Sequence, residues 1–336
     1  MKAFKNIINR KILVGVIVFF VVFFLLEIYL PKSFKENNII YYDLEKGSGY
    51  KEVANDLEKN GIIKSSLSFK FYVLVSRNYS KLQAGNYEVS SSMSIADIVN
   101  KFSLGGIVRN KVVIIEGWDI KDLSEDLDEN HIYSKESFIL ATKKDFSDTF
   151  IFLKDKPKNM SLEGYIFPDT YYVAENSFPE ELLMISLENF DKKLTPELRQ
   201  EISKQKKTIF QIITMASMIE KEVVSLEDKK VVSGILWKRI KEGIPLQVDA
   251  TVNYVTGKHD EKAAINDTEI DSLYNTYKYY GLPKGPISNP GIESILASIY
   301  PEKSDYWYYL SADGTGNTIF SKTFEEHNAA IAKYFK

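Results

Sequence analysis

The chain has 336 residues, 44% of them hydrophobic, and a formal net charge of −3 from 43 basic and 46 acidic side chains. That balance excludes a broad phosphate-binding surface, so nucleic acid is not an expected partner. With no cysteine and only His131, His259 and His327, scattered without ligand spacing, disulfides, thiolate metal sites, a His-based zinc centre and a Ser-His-Asp triad are set aside; neither metal nor cofactor is expected.

From Ile12 to Leu26 every residue is apolar except Gly15, and Ile28, Tyr29 and Leu30 extend the run past Glu27 to Pro31. As a helix, residues 12–30 reach roughly 28 Å, close to the hydrocarbon thickness of a bilayer. Lys2, Lys5, Arg10 and Lys11 precede the run, so the positive-inside rule leaves 1–11 as a cytoplasmic tail. A cleaved signal peptide is the alternative. The long stretch of large, branched residues and the lack of a small-x-small site after it favour a retained single-pass anchor in the cytoplasmic membrane, with the rest of the chain outside.

The remaining residues, roughly 300, exceed one ordinary core. After a polar connector, 31–38, Ile39–Leu44 reads as a strand. A helix with apolar Val53 and Leu57 follows, ending near Asn60-Gly61, and then a second helix, Ser66–Ser76. Gly85–Val89 alternates like a strand, and Met93–Phe102 reads as a helix entered through Ser92 or Ser94. Residues 39–106 thus form a small α/β module. Lys51, Asp56, Leu57, Asn60 and Ile62 recur 70 positions later as Lys121, Asp126, Leu127, Asn130 and Ile132. A second strand-helix-helix copy over 107–157 fits this recurrence, as does a shared capping pattern.

Beyond Pro157 the character changes. Ser161–Val173 combines Gly, Pro and aromatics and suits a structured loop. Helical patterning returns over Pro179–Lys192, Pro196–Lys204, Lys207–Val224 and Lys229–Glu242. Near the end, Tyr306–Leu310 and Thr318–Phe320 read as a hairpin. The predicted class is α+β, with a larger mixed domain over 107–336 whose core region is 158–336.

The segment richest in chemistry is Thr208–Val224. On a helix, Ile209, Ile212, Ile213, Ala216 and Val223 share one apolar face, and Glu220 falls inside that stripe while Glu222 points away. A carboxylate on a core-facing stripe is costly unless paired, hydrogen-bonded or protonated, and desolvation would raise its pKa toward that of a general acid. A buried ion pair with Arg239 or Lys238 explains Glu220 equally well, and Glu222 reads as a solvated charge. Two further segments could line a groove. Pro245–Val255 holds Gln247, Asp249, Asn253 and Tyr254, although an exposed edge element would look the same. Tyr274–Pro290, with Asn275 and Tyr277, offers rings for sugar faces and amides for hydroxyl and acetamido groups. Leu162–Tyr172, with Glu163, Tyr165 and Asp169, is a candidate further wall.

ASMIEKEV at Ala216–Val223, LQVDATVNY at Leu246–Tyr254, YNTYKYYGLPKGPISNPG at Tyr274–Gly291 and LEGYIFPDTY at Leu162–Tyr171 resemble the signature blocks of the MltG/YceG-like endolytic murein transglycosylase family, and EGWDIKDL at Glu116–Leu123 is a weaker one. The resemblance extends in matching order to Ala312–Asn328. It implies a LysM-like module over 39–106 and a YceG-like catalytic domain over 107–336. It also implies a lyase that cuts the N-acetylmuramic acid–N-acetylglucosamine bond within peptidoglycan strands, leaving 1,6-anhydro-N-acetylmuramic acid ends and limiting nascent strand length beside peptidoglycan synthases. By the same resemblance Glu220 is the catalytic glutamate; Gln247, Asp249, Asn275, Tyr277, Glu163 and Tyr165 are substrate-binding candidates read from their own segments. The rivals are a two-carboxylate muramidase and a non-enzymatic peptidoglycan-binding scaffold.

Overall fold

The computed structural model of the chain describes residues 15–16, 18–19, 21–33, 39–105, 109–174, 177–258, 266–311 and 318–334. No helix among the described residues is long and apolar enough to cross a membrane. The predicted cytoplasmic tail, part of the apolar run (12–14, 17 and 20) and most of the connector (34–38) lie outside the described residues. The structure is mixed α+β, and it divides into two compact units, Met1–Asn110 and Lys111–Lys336.

In the first unit, strands β1 (Ile40–Leu44) and β2 (Gly85–Val89) pair antiparallel, with Tyr42 opposite Tyr87. Alternation sends Tyr42 and Leu44 inward, as a two-residue side-chain period requires. Helices α1 (Tyr50–Lys59), α2 (Ser66–Val75) and α3 (Ile95–Leu104) complete the unit around Leu57, Phe69, Val73, Ile98 and Phe102. Ser94 begins α3 with a capping box: its Oγ accepts from Asp97 N at 3.1 Å, and the Asp97 carboxylate accepts from Ser94 N at 3.1 Å.

In the second unit, β3 (Arg109–Val113) pairs with β4 (Thr170–Ala174), so the end of the aromatic stretch expected to be loop is a strand. Between them lie α4 (Ile120–Glu129) and α5 (Lys135–Ala141). The turn between α4 and α5 has the geometry of the α1–α2 turn. Asn60 and Asn130 both donate back into their helices, and Gly61 and His131 both have positive φ, 71° and 57°. Ile62 and Ile132 each donate to a leucine carbonyl, Leu57 and Leu127, at 2.9 Å.

Helices α6 (Pro179–Lys193), α7 (Pro196–Lys204), α8 (Ile209–Glu222), α9 (Leu226–Lys241), α10 (Asp249–Thr256) and α11 (Ile292–Ile299) follow. Hairpin β5 (Tyr308–Ser311)–β6 (Thr318–Ser321) and α12 (Phe324–Tyr334) close the chain. Helix α8 organises the unit. Thr208 caps it, with Gln211 completing the box, and every residue from Ile212 to Ile219 is buried. Ile212, Ile213 and Ala216 face the main core with Leu162, Tyr165 and Phe190. Met215, Met218, Ile219 and Val223 face a second cluster with Val232, Leu246, Val248 and Ile287. A helix apolar all round is one buried all round, and α8 ends at Glu222 where Val223 turns extended.

Candidate active site

The last turn of α8 carries Glu220 and Glu222. The Glu220 side chain is only 9% exposed and its two oxygens are both occupied: Lys229 Nζ of α9 lies 3.2 Å from Oε1, and Gly291 N donates to Oε2 at 2.9 Å. Lys229 is itself 4% exposed and has a more distant second carboxylate, Glu293, at 3.9 Å. Glu116 packs beside them. Burial, and then the Glu220 charge, push its pKa up. A Cβ on Gly291 would overlap the Glu116 carboxylate, which would have to swing aside. The buried ion pair open in the sequence is therefore present, with Lys229 rather than Arg239 or Lys238. Arg239 instead donates to Leu246 O at 2.8 Å.

Glu222 points the other way and lines a cleft of about 260 Å³ with Gly117, Asp119, Lys121, Asp122, Lys221, Ala250, Asn253, Tyr254, Gly257, Lys258 and Ile287. It is not the solvated charge expected from the helical stripe. Burial raises its pKa to about 7; the Asp249 charge adds to the rise, while the nearby Tyr309 hydroxyl and Ala250 N–H oppose it. Such a carboxyl is half-protonated near neutral pH, and two hydrogen-bond donors lie near its anion. Those donors come from the first turn of α10 and from β5, far apart in sequence.

The cleft floor has its own buried carboxyl. Glu163, 4% exposed, accepts from Ile120 N at the start of α4 (3.2 and 3.1 Å) and from the hydroxyl of the cleft residue Tyr254 (3.3 Å). Burial raises its pKa to about 8, helped by the nearby charge of Asp119. Asn289 ties this floor together: its Oδ1 accepts from Ile166 N at 3.0 Å, and its Nδ2 donates to Trp118 O at 3.0 Å. On the rim, Lys221 Nζ donates to Gly117 O at 3.3 Å.

The other candidates divide. Asp249 accepts from the Tyr277 hydroxyl, and both influence the electrostatics around Glu222. Gln247 is exposed in a left-handed conformation (φ 55°), a conformation that costs a non-glycine residue energy. Asn275 is 1% exposed and is a loop clip: Nδ2 donates to Thr268 O and Ile270 O at 2.8 Å each, and Oδ1 accepts from Tyr277 N. Tyr165 is fully buried against Phe152 and Phe190 and is core, not a cleft wall. Both are corrected as direct sugar contacts, because their side chains face protein. Glu163 lies under the cleft and reaches it through Tyr254. Residues 249–256 form a helix, not an alternating edge, and Ala250, Asn253, Tyr254 and Gly257 at i, i+3, i+4 and i+7 make its cleft face. Sequence reasoning missed Lys121, Lys221, Lys258 and Tyr309. The spacing of the α10 face is the one signal that would have placed Asn253 and Tyr254 together.

The second unit places a carboxyl with a raised pKa on a polar cleft, the kind of group a general acid–base needs. The YceG-like family model matches residues 42–333, and the chain belongs to that family. It is 33% identical over 317 residues to an endolytic murein transglycosylase of Bacillus subtilis, covering 90% of this chain and 87% of the relative. It is 30% identical over 340 residues to an endolytic murein transglycosylase of Streptococcus pneumoniae, covering 93% of this chain and 61% of that longer protein. Its structure is similar to that of a yceG-like protein from Listeria monocytogenes, with a TM-score of 0.58 and 34% identity, over 88% of this chain and all of that one.

Proposed function

We propose that the chain is an endolytic murein transglycosylase that cleaves the N-acetylmuramic acid–N-acetylglucosamine bond inside peptidoglycan strands and leaves 1,6-anhydro-N-acetylmuramic acid ends. Glu222, rather than Glu220, is its general acid–base. The observation that carries this reading is the cleft-lining Glu222 carboxyl with its pKa raised to about 7 and two hydrogen-bond donors near its anion. The names of the B. subtilis and S. pneumoniae relatives support the substrate and the reaction.

Protonated Glu222 gives its proton to the glycosidic oxygen as the C1–O bond breaks. The resulting carboxylate, with the Tyr309 hydroxyl and Ala250 N–H near it, takes the proton of the muramic acid 6-hydroxyl as that oxygen bonds to C1. The ring closes, the acid is regenerated, and no water is consumed. An intramolecular nucleophile gains from proximity, and general acid–base help contributes roughly 10²–10⁴-fold. The preset donors lower the cost of the anion at the moment it forms.

The apolar run 12–30 is the membrane tether of this reading, with the catalytic unit on the outer face of the cytoplasmic membrane, near the peptidoglycan synthases. The module at 39–106 is its LysM-like part. One observation favours a second reading, hydrolysis with Asp249 activating water: the Asp249 charge reaches Glu222. Against it, Asp249 already accepts from Tyr277. Mass spectrometry of purified glycan digested by the full chain in detergent decides: anhydro ends support the transglycosylase, and reducing muramic ends replace it with a muramidase.

A further inference from the structure

Helix α2, SLSFKFYVLV, is apolar on two sides. Ser68, Phe69 and Val73 face the core of the first unit. Leu67, Phe71, Leu74 and Val75, spaced i, i+4, i+7 and i+8, form a second stripe on the opposite side and are 65%, 46%, 50% and 65% exposed. Single exposed apolar residues are ordinary, but a contiguous stripe marks an interaction surface.

Two observations say what covers it. The helical segment at 21–29 runs against this helix: Phe24 meets Phe71 with ring centroids 5.0 Å apart, and Tyr29 meets Tyr72 at 6.1 Å. The exposed Val21, Val22, Phe23, Leu25 and Leu26 of that segment therefore continue the apolar surface of α2. The second observation is charge. Residues 61–87 contain Lys64, Lys70, Arg77 and Lys81 and no aspartate or glutamate, in a chain whose net charge is −3. An apolar stripe with basic residues around it and aromatic side chains beside it has the composition of a helix lying in an anionic lipid interface.

We propose that the outer stripe of α2 is a lipid-contacting surface that seats the first unit on an anionic bilayer. The proposal rests on the reading of the apolar run as a membrane anchor. The unit is then held against the headgroups by two contacts, the run and α2, instead of swinging from the connector.

Because the chain has no cysteine, single-cysteine variants report cleanly. Full-length Leu67→Cys, Phe71→Cys and Leu74→Cys, labelled with an environment-sensitive fluorophore, are reconstituted in phosphatidylcholine–phosphatidylglycerol vesicles with and without doxyl-labelled lipid. Asp43→Cys, exposed on the side of β1 opposite its inward-facing Tyr42 and Leu44, is the aqueous control, and Val22→Cys is the control for the anchor. Doxyl lipid should quench positions 67, 71 and 74 at least about twofold more than position 43, as expected for side chains sunk below the headgroups. Quenching at those positions no greater than at 43, with Val22 still quenched, overturns the proposal and leaves the anchor standing. Protection of all three from both doxyl lipid and aqueous iodide means a protein covers the stripe, which also overturns it. An unquenched Val22 removes the anchor reading and the proposal together.

Discussion

On one side of the last turn of α8, Glu220 meets a buried cation and a backbone donor and is almost sealed from solvent; on the other, Glu222 meets a cleft, a tyrosine hydroxyl and the first turn of α10. The two carboxylates are two residues apart on one helix. What separates them is the company each keeps. A fixed ion pair with both oxygens engaged holds a charge still, which suits structure. A partly desolvated carboxyl that is not locked in an ion pair can exist in either protonation state near neutral pH, which suits proton transfer.

The largest expected effect tests the Glu222 side. Glu222→Gln should fold normally and lose roughly 10²–10⁴-fold in kcat on purified glycan, measured by release of soluble muropeptides. Full activity in a folded variant would end its role as the acid. On the other side, Glu220→Gln leaves Lys229 buried without its nearest carboxylate, with only the charges of Glu116 and the more distant Glu293 near it, and breaking such a pair costs about 3–5 kcal/mol. Urea unfolding should show that loss, while the fraction still folded keeps near-normal turnover.

Glu163 sharpens the comparison through pH. Its folded pKa of about 8 lies above the ordinary value of 4.5, so the folded state holds a proton that the unfolded chain releases between those limits. This contribution therefore favours folding at low pH and is lost as pH rises from about 4.5 to about 8. Glu163→Gln removes that titration, so its stability relative to the wild type should climb over the same window, by about 5 kcal/mol at most. Parallel pH–stability curves for the two proteins would contradict it. The smallest effect belongs to Tyr309→Phe. Tyr309 donates to the Glu222 anion and lowers its pKa, so removing the hydroxyl should shift the alkaline limb of the kcat/KM profile upward. The wild-type limb should fall as pH passes about 7, where Glu222 loses its proton.

Much of the local structure was legible. The cap at Ser94, the strand alternation of Ile40–Leu44 and the closing hairpin follow rules of short range, and the elements form where those rules place them. The site was only half legible. A single apolar stripe was assumed for α8, and by that rule Glu222 faces solvent. The helix is buried on two sides, so its second face, continuing Met215, Met218 and Ile219, also leads inward. Glu220 was correctly seen as a carboxylate needing compensation; that Lys229 supplies it depends on how α9 packs. Tyr165 and Asn275 depart from the sequence expectation because aromatic and amide side chains in a Gly- and Pro-rich loop serve a core or a turn as readily as a sugar. Only the positions of Phe152, Phe190, Thr268 and Ile270 distinguish the cases. Tyr309 lies 87 residues beyond Glu222, and no local pattern announces that they meet.

The division of labour between the two glutamates is tested most directly by digesting one batch of purified glycan with Glu220→Gln and Glu222→Gln, each confirmed folded, and weighing the products by mass spectrometry. The account predicts 1,6-anhydro ends from Glu220→Gln and essentially none from Glu222→Gln. Anhydro ends from Glu222→Gln, with none from folded Glu220→Gln, would contradict it.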